Sequence, residues 1–179
     1  MIVTATDIAG VLLLAPEVFT DERGSFFESF NEAAFATAVG SPVHFVQDNH
    51  STSRRHVLRG LHWQDPRPQG KLVRAIRGAV FDVAADVRPD SPTFGRWVGV
   101  QLTAENRRQL WIPPGFAHGY LALTDAEVLY KATDFYAPAH EHCLAWDDPT
   151  LAIDWPLTEP PIVSARDRQG ARLDRRVTP

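Results

Sequence analysis

Cysteine is nearly absent from this sequence: Cys143 stands alone among 179 residues, which excludes a disulfide framework and a cysteine-rich metal centre. No stretch is apolar for long enough to cross a bilayer. The opening Met1-Ile2-Val3-Thr4-Ala5-Thr6-Asp7 has neither the basic start nor the long apolar segment of a secretory leader. A basic excess is missing too, since the formal net charge is −4, the wrong sign for a nucleic-acid polymer or an anionic membrane surface. Internal repeats and low-complexity segments are also lacking. With 44% apolar residues and ten phenylalanines, the chain has the means for one substantial core. The expectation is a cytoplasmic protein of one domain over residues 1–179.

Lysine is the scarcest charge, two against sixteen arginines, and this makes the position of Lys71 informative. It follows the Gln69-Gly70 turn in the stretch Leu58 to Val73, which also carries Arg59 and His62. An arginine, a histidine and a lysine at the edges of two strand-like runs can bind an anion, move a proton and steady an oxyanion. Between His50 and Arg77 lie seven arginines or lysines and one acid, Asp65. A local basic patch inside an acidic protein points to a small phosphorylated ligand.

The rest of the chain reads as short β-like runs punctuated by Gly, Pro, Asn and Asp. Val11 to Phe19 is the first strand candidate, and Thr20 to Gly24 a turn. In the following run, Ser25 to Phe30, Phe26 and Glu28 share a face. Asn31 fits a helix N-cap for Glu32 to Val39, with Gly40 as the stop. Val43 to Ser51 sets Gln47, Asn49 and Ser51 in a row of hydrogen-bonding groups. In His56 to Gln64, strict alternation would put Arg59 and His62 on opposite faces, but a bulge at Gly60 would shift the phase and bring them together. Lys71 to Arg88 reads as two strands joined at Arg77-Gly78, the second being Ala79 to Val87, an apolar run broken by Asp82 and Asp86. Trp97 to Thr103, Arg108 to Ile112, Gly119 to Leu123 and Glu127 to Tyr136 continue the series at the spacing of a sandwich or barrel. In the last run Tyr130 and Tyr136 share a face. From Trp146 onward the chain is Pro-rich and irregular, and it ends in a charged tail.

A metal site lacks ligands in this reading. His62 and His118 sit in segments suited to metal binding, but position 64 is Gln where a second histidine would be wanted, and no carboxylate stands a few residues on to complete the set. Metal-free acid–base chemistry fits better, because an imidazole titrates near neutrality and needs only a partner to orient it.

One ordered set of motifs goes further: Gln47-Asp48-Asn49-His50-Ser51, Leu58-Arg59-Gly60-Leu61-His62-Trp63-Gln64, Gln69-Gly70-Lys71-Leu72-Val73, Phe81-Asp82-Val83, Asp86-Val87-Arg88, Ser91-Pro92-Thr93-Phe94-Gly95, Ile112 to Gly119, Tyr130-Lys131 and Ser164-Ala165-Arg166-Asp167. Together, from about Arg23 to Asp167, they resemble the dTDP-4-dehydrorhamnose 3,5-epimerase family. The resemblance implies a mainly β, cupin-like jelly roll with a few short helices. It also implies a homodimer, no cofactor, and a dTDP-4-keto-6-deoxyhexose as substrate in deoxysugar biosynthesis. By that resemblance His62 is the base, Asp167 its partner, Tyr130 the acid on the opposite face of the sugar, and Lys71 the residue that steadies the C4 enolate. Arg23, Glu28, Gln47, Asn49 and Arg59 match nucleotide-binding positions, His118 and Glu141 lie near sugar or phosphate, and Tyr136 stacks the base. Phe26, Ser51 and Arg166 complete the substrate-binding candidates. Trp63 departs from the family, where Tyr or Phe is commoner. Two other readings remain: an epimerase that inverts one carbon only, and a sugar-nucleotide-binding protein without catalysis.

Overall fold

The structure, a computed structural model, describes residues 1–174. Arg175 and Arg176 of the expected charged tail lie outside those residues.

Fourteen strands appear among the described residues. They are β1 (Ile2–Ala5), β2 (Leu12–Ala15), β3 (Val18–Asp21), β4 (Gly24–Phe27), β5 (Gln47–Ser53), β6 (Val57–Gln64), β7 (Lys71–Arg77), β8 (Ala79–Asp86), β9 (Trp97–Thr103), β10 (Gln109–Ile112), β11 (Phe116–Ala122), β12 (Ala126–Ala132), β13 (Glu141–Cys143) and β14 (Ile162–Val163). One α-helix, α1 (Glu32–Val39), joins β4 to β5, and two 3-10 turns lie near the C-terminal end. A first sheet runs β1-β2-β10-β7-β12-β5 and a second β13-β6-β11-β8-β9; β14 joins the second beside β6, and β3-β4 form a separate hairpin. All pairings of named strands are antiparallel except β14 with β6. This is the mainly β sandwich expected.

Period-two alternation divides the side chains between cores. Along β7, Val73 and Ala75 point between the sheets, while Leu72 points outward beneath α1. Along β8, Val80 and Ala84 face inward and Val83 and Ala85 outward. The inter-sheet core is completed by Leu102, Leu110, Ile112, Phe116 and Val128. The outer face of the second sheet is covered by the irregular C-terminal stretch through Leu151, Trp155 and Val163. The outer face of the first sheet is covered by α1.

The helix is set by local chemistry. Asn31 is its N-cap, with Oδ1 accepting from the Ala34 N–H at 3.0 Å, and Gly40 closes it at φ +83°. Its one fully buried side chain, Phe35, packs edge-on to Trp111 with centroids 5.2 Å apart and meets Phe45 at 5.4 Å. Burial of such a ring contributes about 1.5–3 kcal/mol, which suffices to seat an eight-residue helix that would not persist alone.

Four strand expectations needed correction. The run Val11 to Phe19 is two strands, broken at Pro16 and Glu17, because proline lacks the N–H a ladder needs. β1 was missed, being four exposed residues with no burial pattern. The strand expected over Glu127 to Tyr136 stops at Ala132. Beyond it Asp134 is held by Arg67 through bonds of 3.0 and 2.6 Å, and the chain turns away. The strand expected from Val43 starts at Gln47. β7 and β8 are joined at Gly78 as expected, but they lie in different sheets, so the joint is a crossing between layers.

Candidate active site

One end of the inter-sheet space is not filled by apolar groups. It opens as a basin of about 510 Å³ whose walls include Arg59, His62, Lys71, His118, Tyr130, Tyr136, Glu141, Arg166 and Asp167. Arg59, His62, Lys71, His118 and Tyr130 come from β6, β7, β11 and β12, while Tyr136 follows β12, Glu141 starts β13, and Arg166 and Asp167 lie at the start of the second 3-10 turn.

The bulge in β6 makes this possible. Cα pairing with β11 runs His62 to His118 and Arg59 to Tyr120, so two residues of β6 oppose Gly119 alone. Leu58 and Leu61, three positions apart, therefore both face the outer core, and Arg59 and His62 both reach the basin. Gly60 sits at φ +110°, and a Cβ there would lie 2.6 Å from Gly119 Cα and from the His118 carbonyl oxygen. Only glycine fits.

His62 is paired with Asp167, Nε2 to Oδ1 at 2.7 Å. Asp167 is 4% exposed. Its Oδ2 accepts from the Gly60 N–H at 3.3 Å, and its own N–H donates to Ser164 Oγ at 3.0 Å. Burial works to raise its pKa, but the His62 hydrogen bond and charge, with the Gly60 and Ser164 bonds, outweigh this and hold it below the ordinary value. The pair is thus a carboxylate fixed against an imidazole.

Lys71 is 8% exposed, and burial lowers its pKa to about 8 against the raising influence of Glu141 and Asp82. Among the described residues no carboxylate is paired with it; Nζ donates to the His62 carbonyl at 3.4 Å and lies 6.0 Å from the Tyr130 ring centroid. Burial, together with Tyr120 and Glu141, raises the pKa of Tyr130, so the phenol keeps its proton at neutral pH. A buried cation and a protonated phenol thus share one basin with the His62–Asp167 pair.

The remaining walls are braced. Glu141 Oε2 accepts from Tyr136 and from Arg166, each at 2.6 Å, and these bonds hold its pKa down against burial. Arg59 donates to Ser53 Oγ and the Thr52 carbonyl, each at 3.0 Å. Ser51 and Ser53 each sit 2.9 Å from the Tyr120 hydroxyl. Trp63 stacks on His142 with centroids 5.0 Å apart. Gln64 is committed elsewhere: its amide holds the turn through Arg67, Phe135 and Ala137.

Ser51, Arg59, His62, Lys71, His118, Tyr130, Tyr136, Glu141, Arg166 and Asp167 are brought together as the sequence suggested. Five candidates are not. Gln47 and Asn49 hydrogen-bond each other at 2.9 Å on β5 and do not line the basin. Arg23 and Phe26 sit on the β3–β4 hairpin, where Arg23 is paired with Asp21 and Phe26 is 72% exposed. They flank a separate hollow. Glu28 follows the same hairpin and is exposed. Asp82 belongs to the Phe81-Asp82-Val83 motif but was not expected among the site residues. It is fully buried, pairs with His118 at 2.9 Å and leaves Oδ2 without a partner. Its signal was a carboxylate interrupting the apolar run of β8. Burial lowers the pKa of His118 despite that partner.

Two facing sheets with a polar, titratable basin at one end define a cupin-like sandwich with the equipment of an acid–base isomerase. A family profile described as dTDP-4-dehydrorhamnose 3,5-epimerase matches residues 5–175. The dTDP-4-dehydrorhamnose 3,5-epimerase of Pseudomonas aeruginosa is 61% identical over 168 residues, 93% of each chain. That of Salmonella typhimurium is 55% identical over 177 residues, 98% of this chain and 97% of the relative. The crystal structure of the dTDP-6-deoxy-D-glucose-3,5-epimerase from Legionella pneumophila, in complex with dTDP-4-keto-L-rhamnose, aligns with a TM-score of 0.95 at 47% identity, covering 99% of this chain and 96% of that one. The chain belongs to the dTDP-4-dehydrorhamnose 3,5-epimerase family, a family of isomerases.

Proposed function

We propose that the chain inverts C3 and C5 of dTDP-4-keto-6-deoxy-D-glucose to give dTDP-4-keto-L-rhamnose, as a cytoplasmic enzyme of one domain that uses no metal. The observation that carries this reading is the His62–Asp167 pair at 2.7 Å in a basin that also holds Lys71 and Tyr130. A proton on a carbon next to a ketone becomes removable when the oxygen's developing charge meets a fixed cation. Lys71 is that cation. With a pKa of about 8 it is mostly charged at neutral pH, and a negative oxygen beside it favours the charged form further. Asp167 holds Nε2 of His62, orients the ring and stabilises the imidazolium that forms when Nδ1 takes the proton. Inversion then needs a donor on the other face, and Tyr130, protonated at neutral pH, supplies it. Both carbons flank the same C4 ketone, so one cation and one acid–base pair serve both in turn.

The working unit in this proposal is a homodimer. Arg23, Phe26 and Glu28 match nucleotide-binding positions, yet their hairpin stands away from the basin of its own chain. A two-stranded hairpin is marginal in water, and this one exposes Phe19 and Phe26. A symmetric pairing that lays each hairpin over the other chain's basin covers those rings and brings the arginine to the nucleotide. Proton NMR of dTDP-4-keto-6-deoxyglucose with the protein in heavy water tests the reaction. Deuterium at both C3 and C5 with formation of the L-rhamno product is expected. Label at C3 alone would assign a single-carbon epimerase, and no label would leave a sugar-nucleotide binder.

A further inference from the structure

Cys143 takes no part in the chemistry above, yet it sits against the base pair. On β13 it is the register partner of His62, and its thiol donates toward Asp167 Oδ1 at 3.8 Å. One donor atom each from His62, Cys143 and Asp167 lie within 4.8 Å of one another. We propose that these three side chains form a binding site for a soft divalent cation of the zinc class, and that occupancy shuts the basin by taking the base out of use.

The donor set is the argument. An imidazole, a thiolate and a carboxylate are the ligands zinc prefers, and three protein ligands with a fourth position open is the usual form of a zinc site that faces a cavity. Metal–donor lengths of about 2.0–2.3 Å place tetrahedral donors roughly 3.3–3.7 Å apart. The sulfur and Asp167 Oδ1 are already near that separation at 3.8 Å. The His62–Asp167 contact at 2.7 Å must open by roughly half an ångström, exchanging a hydrogen bond for coordination. The Asp167 carboxylate accepts from the Gly60 N–H and its backbone N–H donates to Ser164 Oγ, so the residue is anchored before any cation arrives. His62 and Asp167 both border the basin, which gives the cation an entry path and a position for water. Magnesium and calcium are poorly served, since they want several oxygens and find one carboxylate.

Cys143 is half-buried, and burial with the neighbouring Asp167 raises its pKa to about 11, so without metal it is a protonated, inert thiol. Coordination forms sulfur–metal and Nε2–metal bonds with no change of oxidation state: the S–H proton goes to solvent, and the Nε2 proton shifts by way of solvent to Nδ1, which is then protonated and no longer a base. Binding depends only on this geometry. The loss of activity rests on the reading of His62 as the base.

The test uses the full chain after exhaustive dialysis against a chelator, which should leave the epimerisation rate intact. Co²⁺, a spectroscopic stand-in for zinc, is titrated in, and the thiolate-to-cobalt charge-transfer band in the near ultraviolet is recorded. Wild type should show the band and should be inhibited by Zn²⁺ but not by Mg²⁺ at the same concentrations. In Cys143→Ser and Cys143→Ala the band should vanish. The Zn²⁺ concentration for half inhibition, taken against each variant's own metal-free rate, should rise roughly tenfold or more. Absence of the band in wild type overturns the site, whether or not the variants fold. Equal inhibition of wild type and variants also overturns it. A cysteine-dependent band without inhibition refutes the shut-off and, with it, the assignment of His62 as the base.

Discussion

Nε2 of His62 lies 2.7 Å from Oδ1 of Asp167, a contact closed between residues 105 positions apart. If Asp167 fixes the proton-accepting tautomer and steadies the imidazolium, Asp167→Asn keeps the shape and loses the charge. The expected result is a drop in turnover of roughly a hundred- to ten-thousandfold, as for loss of a general base's support. Substrate affinity should change little. A variant within a few-fold of wild type would show that His62 works without its partner.

In the proposed mechanism Lys71 should set the alkaline limb. A lysine is charged below its pKa, and burial brings that of Lys71 down to about 8. The kcat/KM of the free enzyme should therefore fall as pH rises through about 8. Lys71→Met should lower the rate about a hundred- to a thousandfold and remove that limb, as expected for losing an oxyanion partner. A wild-type profile flat to pH 10 would contradict this role.

A substitution at Tyr130 should separate the two halves of the proposed reaction. Tyr130→Phe keeps the ring and its packing but has no proton to give. His62 should still remove the proton and, in heavy water, return deuterium to the same face, so exchange without inversion is expected. Overall epimerisation should fall by roughly a hundred- to ten-thousandfold. Normal epimerisation would remove Tyr130 from the mechanism.

Association can be measured and then used. Sedimentation at micromolar concentration should give twice the 20.0 kDa of the chain. Arg23→Ala and His62→Ala, each weak at low substrate, should regain activity when unfolded together and refolded as a mixture. A mixed dimer pairs one intact basin with one intact hairpin. No recovery, or a monomer, would show that each hairpin serves its own chain.

Local chemistry was legible in the sequence and long-range pairing was not. The bounds of α1 follow from Asn31 and Gly40, which act within one turn. The bulge at Gly60 was readable because a glycine inside a strand has few other uses, and it correctly placed Arg59 beside His62. Spacing alone could not join His62 to Asp167; the motif around Ser164 suggested it only through family resemblance. Tyr130 and Tyr136 do face one basin, but not along one strand: Tyr136 arrives there through the turn held by Asp134 and Arg67, a salt bridge between distant segments. Asp82 stood out as an interruption, and only the folded strands reveal His118 as its partner. Arg23, where the resemblance begins, lies on a hairpin apart from the basin of its chain, and nothing in the sequence signals that separation.

The central claim is that His62 is the base for the sugar carbons. The most direct measurement is deuterium incorporation into dTDP-4-keto-6-deoxyglucose by His62→Ala in heavy water, followed by proton NMR beside wild type. No label above the buffer background at C3 or C5 is the predicted result. Incorporation at either carbon near the wild-type rate would place the base on another residue and contradict the account.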